Sequence, residues 1–131
     1  MRRQFDLLAT DSQFLEDYGL PWEAVVDGCQ WVIIHNFPTH QGYNHQEVSV
    51  GIRLETGYPN AALDMAYFYP PLSRNDGRAI PATEATQLLD GKHFQRWSRH
   101  RSGQNPWIIG SDNLGTHVIL IEDWLQREFE R

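Results

Sequence analysis

The sequence predicts an α+β fold: an antiparallel meander of about four strands between an N-terminal and a C-terminal helix. Three observations predict it. Val48, Val50, Ile52 and Leu54 alternate with Ser49, Gly51, Arg53 and Glu55, the period of two that gives a strand one core face and one polar face. Asp27-Gly28 stands between two apolar runs, a hairpin signal because both turn positions call for positive φ. Leu114, Val118, Ile121 and Leu125 recur at helical spacing near the end of the chain.

The elements follow in order. Residues 10–19 read as a short helix with Asp11 or Ser12 as its cap, Phe14, Leu15 and Tyr18 as its apolar face, and Gly19 with Pro21 as its stop. Residues 22–26 and 29–34, rich in β-branched and aromatic side chains, form the hairpin. A loop containing Gly42-Tyr43-Asn44 leads into the alternating strand. After Tyr58-Pro59-Asn60 a further strand is expected over residues 63–68, ended by Tyr69-Pro70-Pro71 because proline cannot donate to a ladder. Residues 72–110 read as a long irregular segment with one helical turn near residues 83–89, and loops of that length are often functional. Ser111 or Asp112 is expected to cap the final helix, with Arg127 and Arg131 at its C-terminal end.

The chain has 131 residues, room for a single hydrophobic core, and residues 1–131 are read as one domain. Its formal net charge of −6 argues against a dedicated nucleic-acid binder, which carries a basic surplus. No run approaches the roughly 18 apolar residues of a membrane helix. The start, Met1-Arg2-Arg3-Gln4-Phe5, has no apolar stretch behind its arginines to make a secretory signal. Cys29 is the one cysteine, which suits a reducing compartment and a small core residue, and a cytoplasmic location is expected. His35, His40 and His45 recur every five residues, a spacing that matches no zinc motif, so neither metal nor cofactor is expected. His117 reads as a packed or solvated helix residue.

The chemistry points to one place. Lys92, Arg96, Arg99 and Arg101 are four of the eleven Lys and Arg residues, with His93 and His100 among them. Such a basic island in an acidic chain is either a solvated loop or a site for an anionic partner. Within it stands Trp97-Ser98-Arg99-His100. A serine becomes a nucleophile when a base takes its proton, and in an extended segment His100 lies on the same side as Ser98. Trp22, Trp31 and Trp124 are expected in the core. Trp97 and Trp107, in the irregular segment, either pin it down or meet a partner.

The order of these elements resembles the fold of ubiquitin-conjugating (UBC) enzymes. The helix, the hairpin ending in Trp31-Val32-Ile33-Ile34, the Gly42-Tyr43 loop, the strand over residues 48–54 and Tyr58-Pro59 carry the likeness. Leu63-Asp64-Met65, Gln95-Arg96-Trp97-Ser98-Arg99-His100 and Asp112-Asn113-Leu114 followed by His117 resemble a divergent prokaryotic branch, typically encoded beside ubiquitin-like proteins, a ThiF-type activating enzyme and a JAB-type peptidase. Ser98 lies nine residues before Trp107, close to the spacing of a UBC enzyme's catalytic cysteine from its loop tryptophan. The chain departs from those enzymes in having no cysteine near Ser98 and no His-Pro-Asn triplet.

The resemblance implies an acyl carrier. The C-terminus of a ubiquitin-like protein would pass from an activating enzyme to Ser98 as an oxyester and then to an amine. His100 would be base or orienter, and Asn75 or Asn105 would stabilise the oxyanion. Arg96, Arg99 and Arg101 would support the oxyanion or dock an acidic partner, beside Trp97 and Trp107. The alternative it leaves open is a catalytically inactive UBC-like scaffold that binds the ubiquitin-like protein or its activating enzyme.

Overall fold

The computed structural model describes residues 1–130, so Arg131 lies outside the described residues. The chain runs α1 (Ala9–Tyr18), β1 (Trp22–Asp27), β2 (Cys29–Pro38), β3 (Glu47–Leu54), β4 (Ala66–Tyr69), β5 (Thr86–Leu89), β6 (Lys92–Trp97) and α2 (Leu114–Arg127), followed by a 3₁₀ turn, Glu128–Glu130. This is the α+β architecture with an N-terminal helix, a curled antiparallel sheet and a C-terminal helix. The sheet has six strands in the order β1-β2-β3-β4-β6-β5, all neighbours antiparallel.

Residues that set each element can be named. Gly28 takes φ 73° in the β1–β2 turn, as the Asp-Gly pair requires. In α1 neither Asp11 nor Ser12 is the cap. The N-cap is Leu8, without a side-chain cap, and Asp11 sits inside the helix, buried. In α2 the cap is Asn113 rather than Ser111 or Asp112. Its side chain accepts from the Thr116 N–H at 3.1 Å while the Thr116 hydroxyl accepts from the Asn113 N–H at 3.0 Å, so two orphan donors are satisfied reciprocally.

The expected apolar face of α2 is the one that buries: Leu114, Val118, Ile121 and Leu125 are all at or below 2 % exposed. They pack with Leu15 of α1 and with Val32, Ile34, Val50, Ile52 and Phe68 of the sheet, each large apolar side chain contributing about 1.5–3 kcal/mol. α1 lies so close to α2 that a Cβ at Gly115 would stand 2.8 Å from Phe14 Cδ1, which explains a glycine inside a helix despite its cost.

Two expectations are corrected. Residues 72–110 are not irregular throughout: the helical turn expected near residues 83–89 is strand β5, hairpinned to β6 through Asp90-Gly91. The β3–β4 segment is strand only over Ala66–Tyr69, not from residue 63. Both faces of the sheet carry apolar packing. The β5–β6 hairpin curls back, and Val25, Trp31, Ile33, Tyr67, Leu89 and Phe94 form a second apolar cluster. Leu89 Cδ2 would stand 2.9 Å from a Cβ at Gly51, so the polar-looking face of β3 is partly roofed. The curl is tied at its rim, where the Asp90 N–H donates to Asp27 at 2.8 Å and Arg2 pairs with Asp90 and Glu23 at 2.6 and 2.9 Å.

Candidate functional site: a serine, a histidine and an aspartate beyond the end of β6

Just past β6 the chain remains extended and keeps a last bond to the neighbouring strand, from the Met65 N–H to the Arg99 carbonyl at 3.0 Å. Alternation then sends Ser98 and His100 to the same side. The Ser98 hydroxyl lies 3.3 Å from His100 Nε2, and His100 Nδ1 lies 2.7 Å from Asp64 Oδ2. With the Nδ1–H donated to the carboxylate, Nε2 keeps a lone pair for the Ser98 proton. The three side chains form a continuous Ser98–His100–Asp64 chain, of the kind that activates a serine nucleophile. His100 is 57 % exposed, so the chain is reachable by a macromolecular substrate.

Asp64 was not among the residues singled out as catalytic from sequence. It reaches His100 because Met65 adopts a left-handed conformation, φ 59°, uncommon for any residue with a Cβ and a sign of a constrained turn. The turn is held from three sides. The Met65 N–H also bonds Asp64 Oδ1 at 3.1 Å, Arg99 accepts from that same N–H, and His117 Nε2 donates to the Met65 carbonyl at 2.9 Å.

His117 is fully buried on the first turns of α2, with its ring edge-on to Trp124. Burial, with a smaller contribution from Arg101, pushes its pKa down to about 4, so it is neutral near neutrality. The folded state therefore binds the proton less readily than the unfolded chain, and stability present above pH 6.5 is lost as pH falls toward about 4. The loss is on the order of 3 kcal/mol. Urea denaturation at pH 7 and pH 4.5 is expected to show this slope in the native sequence and a clearly shallower one in His117→Gln. Equal slopes would remove His117 as its source.

The remaining site candidates have specific places. Trp97 is not a loop or partner residue. It ends β6 at 0 % exposure, edge-on to Phe68, with its indole N–H donated to Gln95 at 2.9 Å. Arg96 lies on β6, half-buried. Arg99 pairs with Glu128 at 3.7 Å and donates to the Pro81 and Ser98 carbonyls. Arg101 lies over the Trp107 ring, 5.0 Å from its centroid, and pairs with Asp112 at 3.4 Å. Burial pushes the Asp112 carboxyl up, but the Ile108 N–H, Thr116 and Arg101 outweigh it and hold the group below its ordinary range. Within the basic island, Arg99, His100 and Arg101 each face a carboxylate, while Lys92, His93 and Arg96 lie on strand β6.

Trp107 is half-buried and donates its indole N–H to the Pro59 carbonyl at 3.0 Å. The Tyr58–Pro59 bond is cis, and the Tyr58 hydroxyl donates to buried Asp11 at 2.6 Å while accepting from the Leu114 N–H at 2.7 Å. Tyr58-Pro59 thus ties α1, the N-terminus of α2 and the Trp107 loop together behind the site. Asn75 donates to the Tyr43 carbonyl at 3.1 Å, and no bond among the described residues joins it to Ser98. Asn105 is exposed in the loop before Trp107. Among the described residues no group of three or more His, Cys, Asp or Glu side chains is placed to hold a metal ion.

Residues 7–128 match the family described as Prok-E2_E, Prokaryotic E2 family E. The chain belongs to this family. Membership in an E2 family supports a conjugating-enzyme-like role, which suits a site open to a protein substrate. The prokaryotic E2 chain is also similar to a 2-oxoglutarate-Fe(II) type oxidoreductase, ppzC, of Metarhizium majus (strain ARSEF 297), 33 % identical over 82 residues. That match covers 53 % of this chain and 22 % of the relative, so the chain spans about a fifth of that protein's length. No solved structure matches the chain. No helix among the described residues is long and apolar enough to cross a membrane.

Proposed function

We propose that this E2-family chain is an acyl carrier that accepts the C-terminus of a ubiquitin-like protein on Ser98 and passes it to an amine. The observation that carries the reading is the hydrogen-bonded chain from Ser98 through His100 to Asp64. Ser98 Oγ attacks the activated carboxyl carbon held by a ThiF-type activating enzyme, His100 Nε2 takes the hydroxyl proton, and the activating enzyme's leaving group departs with that proton. The ubiquitin-like protein is then held as an oxyester. An acceptor amine attacks that ester and gives up a proton to His100, which delivers it to the departing Ser98 oxygen. Asp64 fixes the ring and favours the imidazolium formed in between. A JAB-type peptidase would act in the same pathway, reversing the amide product.

An oxyester is less reactive toward amines than a thioester, so electrostatic support matters more here. Arg99 and Arg101 flank His100, and Arg101 Nε is a buried donor with no hydrogen-bond partner. Ile108 and Ile109, exposed at 55 % and 66 %, adjoin Trp107 and offer apolar contact to a protein partner.

The test is a charging assay with the activating enzyme, the ubiquitin-like protein and ATP, comparing the native sequence with His100→Gln and Asp64→Asn. Adduct formation is expected to fall about 10²–10⁴-fold in His100→Gln, the range for removing a general base, and substantially in Asp64→Asn. Wild-type charging rates in both would sink the proposed relay. Binding without any adduct, with the activating enzyme shown to be active, would instead support the scaffold.

A further inference from the structure

On the opposite face of the sheet from the helices, the curl encloses an open cavity of about 550 Å³. Its walls include Ile33, Tyr69, Pro70 and Phe94, with Lys92 at the edge. Its polar lining includes His35 and Ser49, from the adjacent strands β2 and β3, along with Asn36, Glu47 and Asp90. The Ser49 hydroxyl lies 2.9 Å from His35 Nδ1, and His35 Nε2 lies 2.8 Å from Glu23 Oε2 on β1. Three neighbouring strands thus place a serine, a histidine and a carboxylate in a second hydrogen-bonded row, separate from the Ser98 site.

The backbone is adapted at this point. The β2–β3 register shifts between Ile34 and Phe37, so the irregularity falls on His35 and Asn36, and Asn36 takes φ 58°. Bulges and left-handed non-glycine residues cluster where a strand re-aims side chains for function. The carboxylate is anchored as well: Arg2 binds Glu23 at 2.9 Å, and this bond, aided by His35, holds the Glu23 pKa down to about 2. Glu23 is therefore ionised and ready to accept the His35 Nε2–H, which leaves Nδ1 as the acceptor facing Ser49.

We infer that Ser49, His35 and Glu23 form a second nucleophilic site that hydrolyses small uncharged carboxylic esters, with the acyl chain lying against Tyr69 and Phe94. Tyr69 is the residue paired with Ser49 across the β3–β4 ladder, and its ring is 5.5 Å from that of Phe94, so the apolar wall begins beside the nucleophile. Ser49 Oγ attacks the ester carbonyl, and its proton passes to His35 Nδ1. The C–O bond to the alcohol breaks, and the departing oxygen takes that proton. Water then cleaves the acyl-Ser49 bond by the same route in reverse, so the sum is ester plus water to acid plus alcohol. Lys92 lines the same cavity and adds positive charge to it.

The test uses the full chain with p-nitrophenyl butyrate, and a fluorophosphonate followed by peptide mass mapping. Phosphonylation is expected at Ser49, and kcat/KM is expected to fall at least about 100-fold in Ser49→Ala and in His35→Gln, the scale of losing a nucleophile or its base. Labelling the native sequence requires no variant to fold, so the outcome does not depend on the substitutions. Label found only on Ser98 or another residue, no label at all, or unchanged hydrolysis in folded Ser49→Ala would overturn the assignment. The Ser98 proposal is untouched by either result, because its readout is a conjugate formed with ATP.

Discussion

Ser98→Ala is expected to abolish the covalent adduct with the ubiquitin-like protein, and Ser98→Cys to restore one of different chemistry. The alanine leaves His100 and Asp64 in place but removes the oxygen that becomes the ester, so no residual adduct at the same position is expected. The cysteine puts a more nucleophilic atom 2 residues from the same base. Its adduct should be a thioester, cleaved by thiol reductant, where the native oxyester resists it. A gel run with and without reductant checks both variants at once. Adduct formation by Ser98→Ala at the native rate would place the acceptor elsewhere. Cys29, the one cysteine, would be the first alternative to examine, and a reductant-sensitive native adduct would point to it.

Trp97→Ala is expected to destabilise the fold by about 3–5 kcal/mol, the range for emptying a large buried aromatic site. Trp97 packs against Phe68 and Tyr43 with none of its surface exposed, so its removal leaves a cavity beside those two rings. The loss also frees Gln95, whose side chain bonds Trp97 and both backbone groups of Leu72, from one partner. Urea denaturation monitored by circular dichroism measures the effect. A change below about 1 kcal/mol would mean the indole is not the core residue described, since only surface substitutions are usually so mild. The reduction is structural, so a charging defect in this variant would not count toward Trp97 as a site residue.

Legibility in the sequence follows the physics of each element. α2 and β3 were readable because apolar residues repeat at 3.6 and at 2, and the β1–β2 turn because Asp-Gly is flanked by apolar runs. The β5–β6 hairpin carries the same Asp-Gly signal at Asp90-Gly91, yet its strands show no readable alternation. Gln95 occupies a buried position, 8 % exposed, satisfied by Leu72 and Trp97. Lys92, His93 and Arg96 share the strand with Phe94 and Trp97, so the apolar alternation disappears behind a basic run. Trp97 was misplaced for the same reason: without β6 it had no strand to belong to.

The candidate site divides similarly. Ser98 and His100 are two residues apart, and local alternation suffices to bring them together. Asp64 lies 36 residues from His100, and its approach depends on β4 pairing with β6 and on the left-handed turn at Met65, neither of which leaves a short-range pattern. Arg99 and Arg101 looked like free charge because their partners, Glu128 and Asp112, come from chain segments that only the folded structure brings near.

The most direct measurement is the location and chemistry of the linkage in the native chain. After charging with the activating enzyme, the ubiquitin-like protein and ATP, the adduct is digested and mapped by mass spectrometry, before and after mild base and thiol reductant. The account predicts the ubiquitin-like C-terminus on Ser98, released by base and unaffected by reductant. An adduct on any other residue, or one released by reductant, would contradict it.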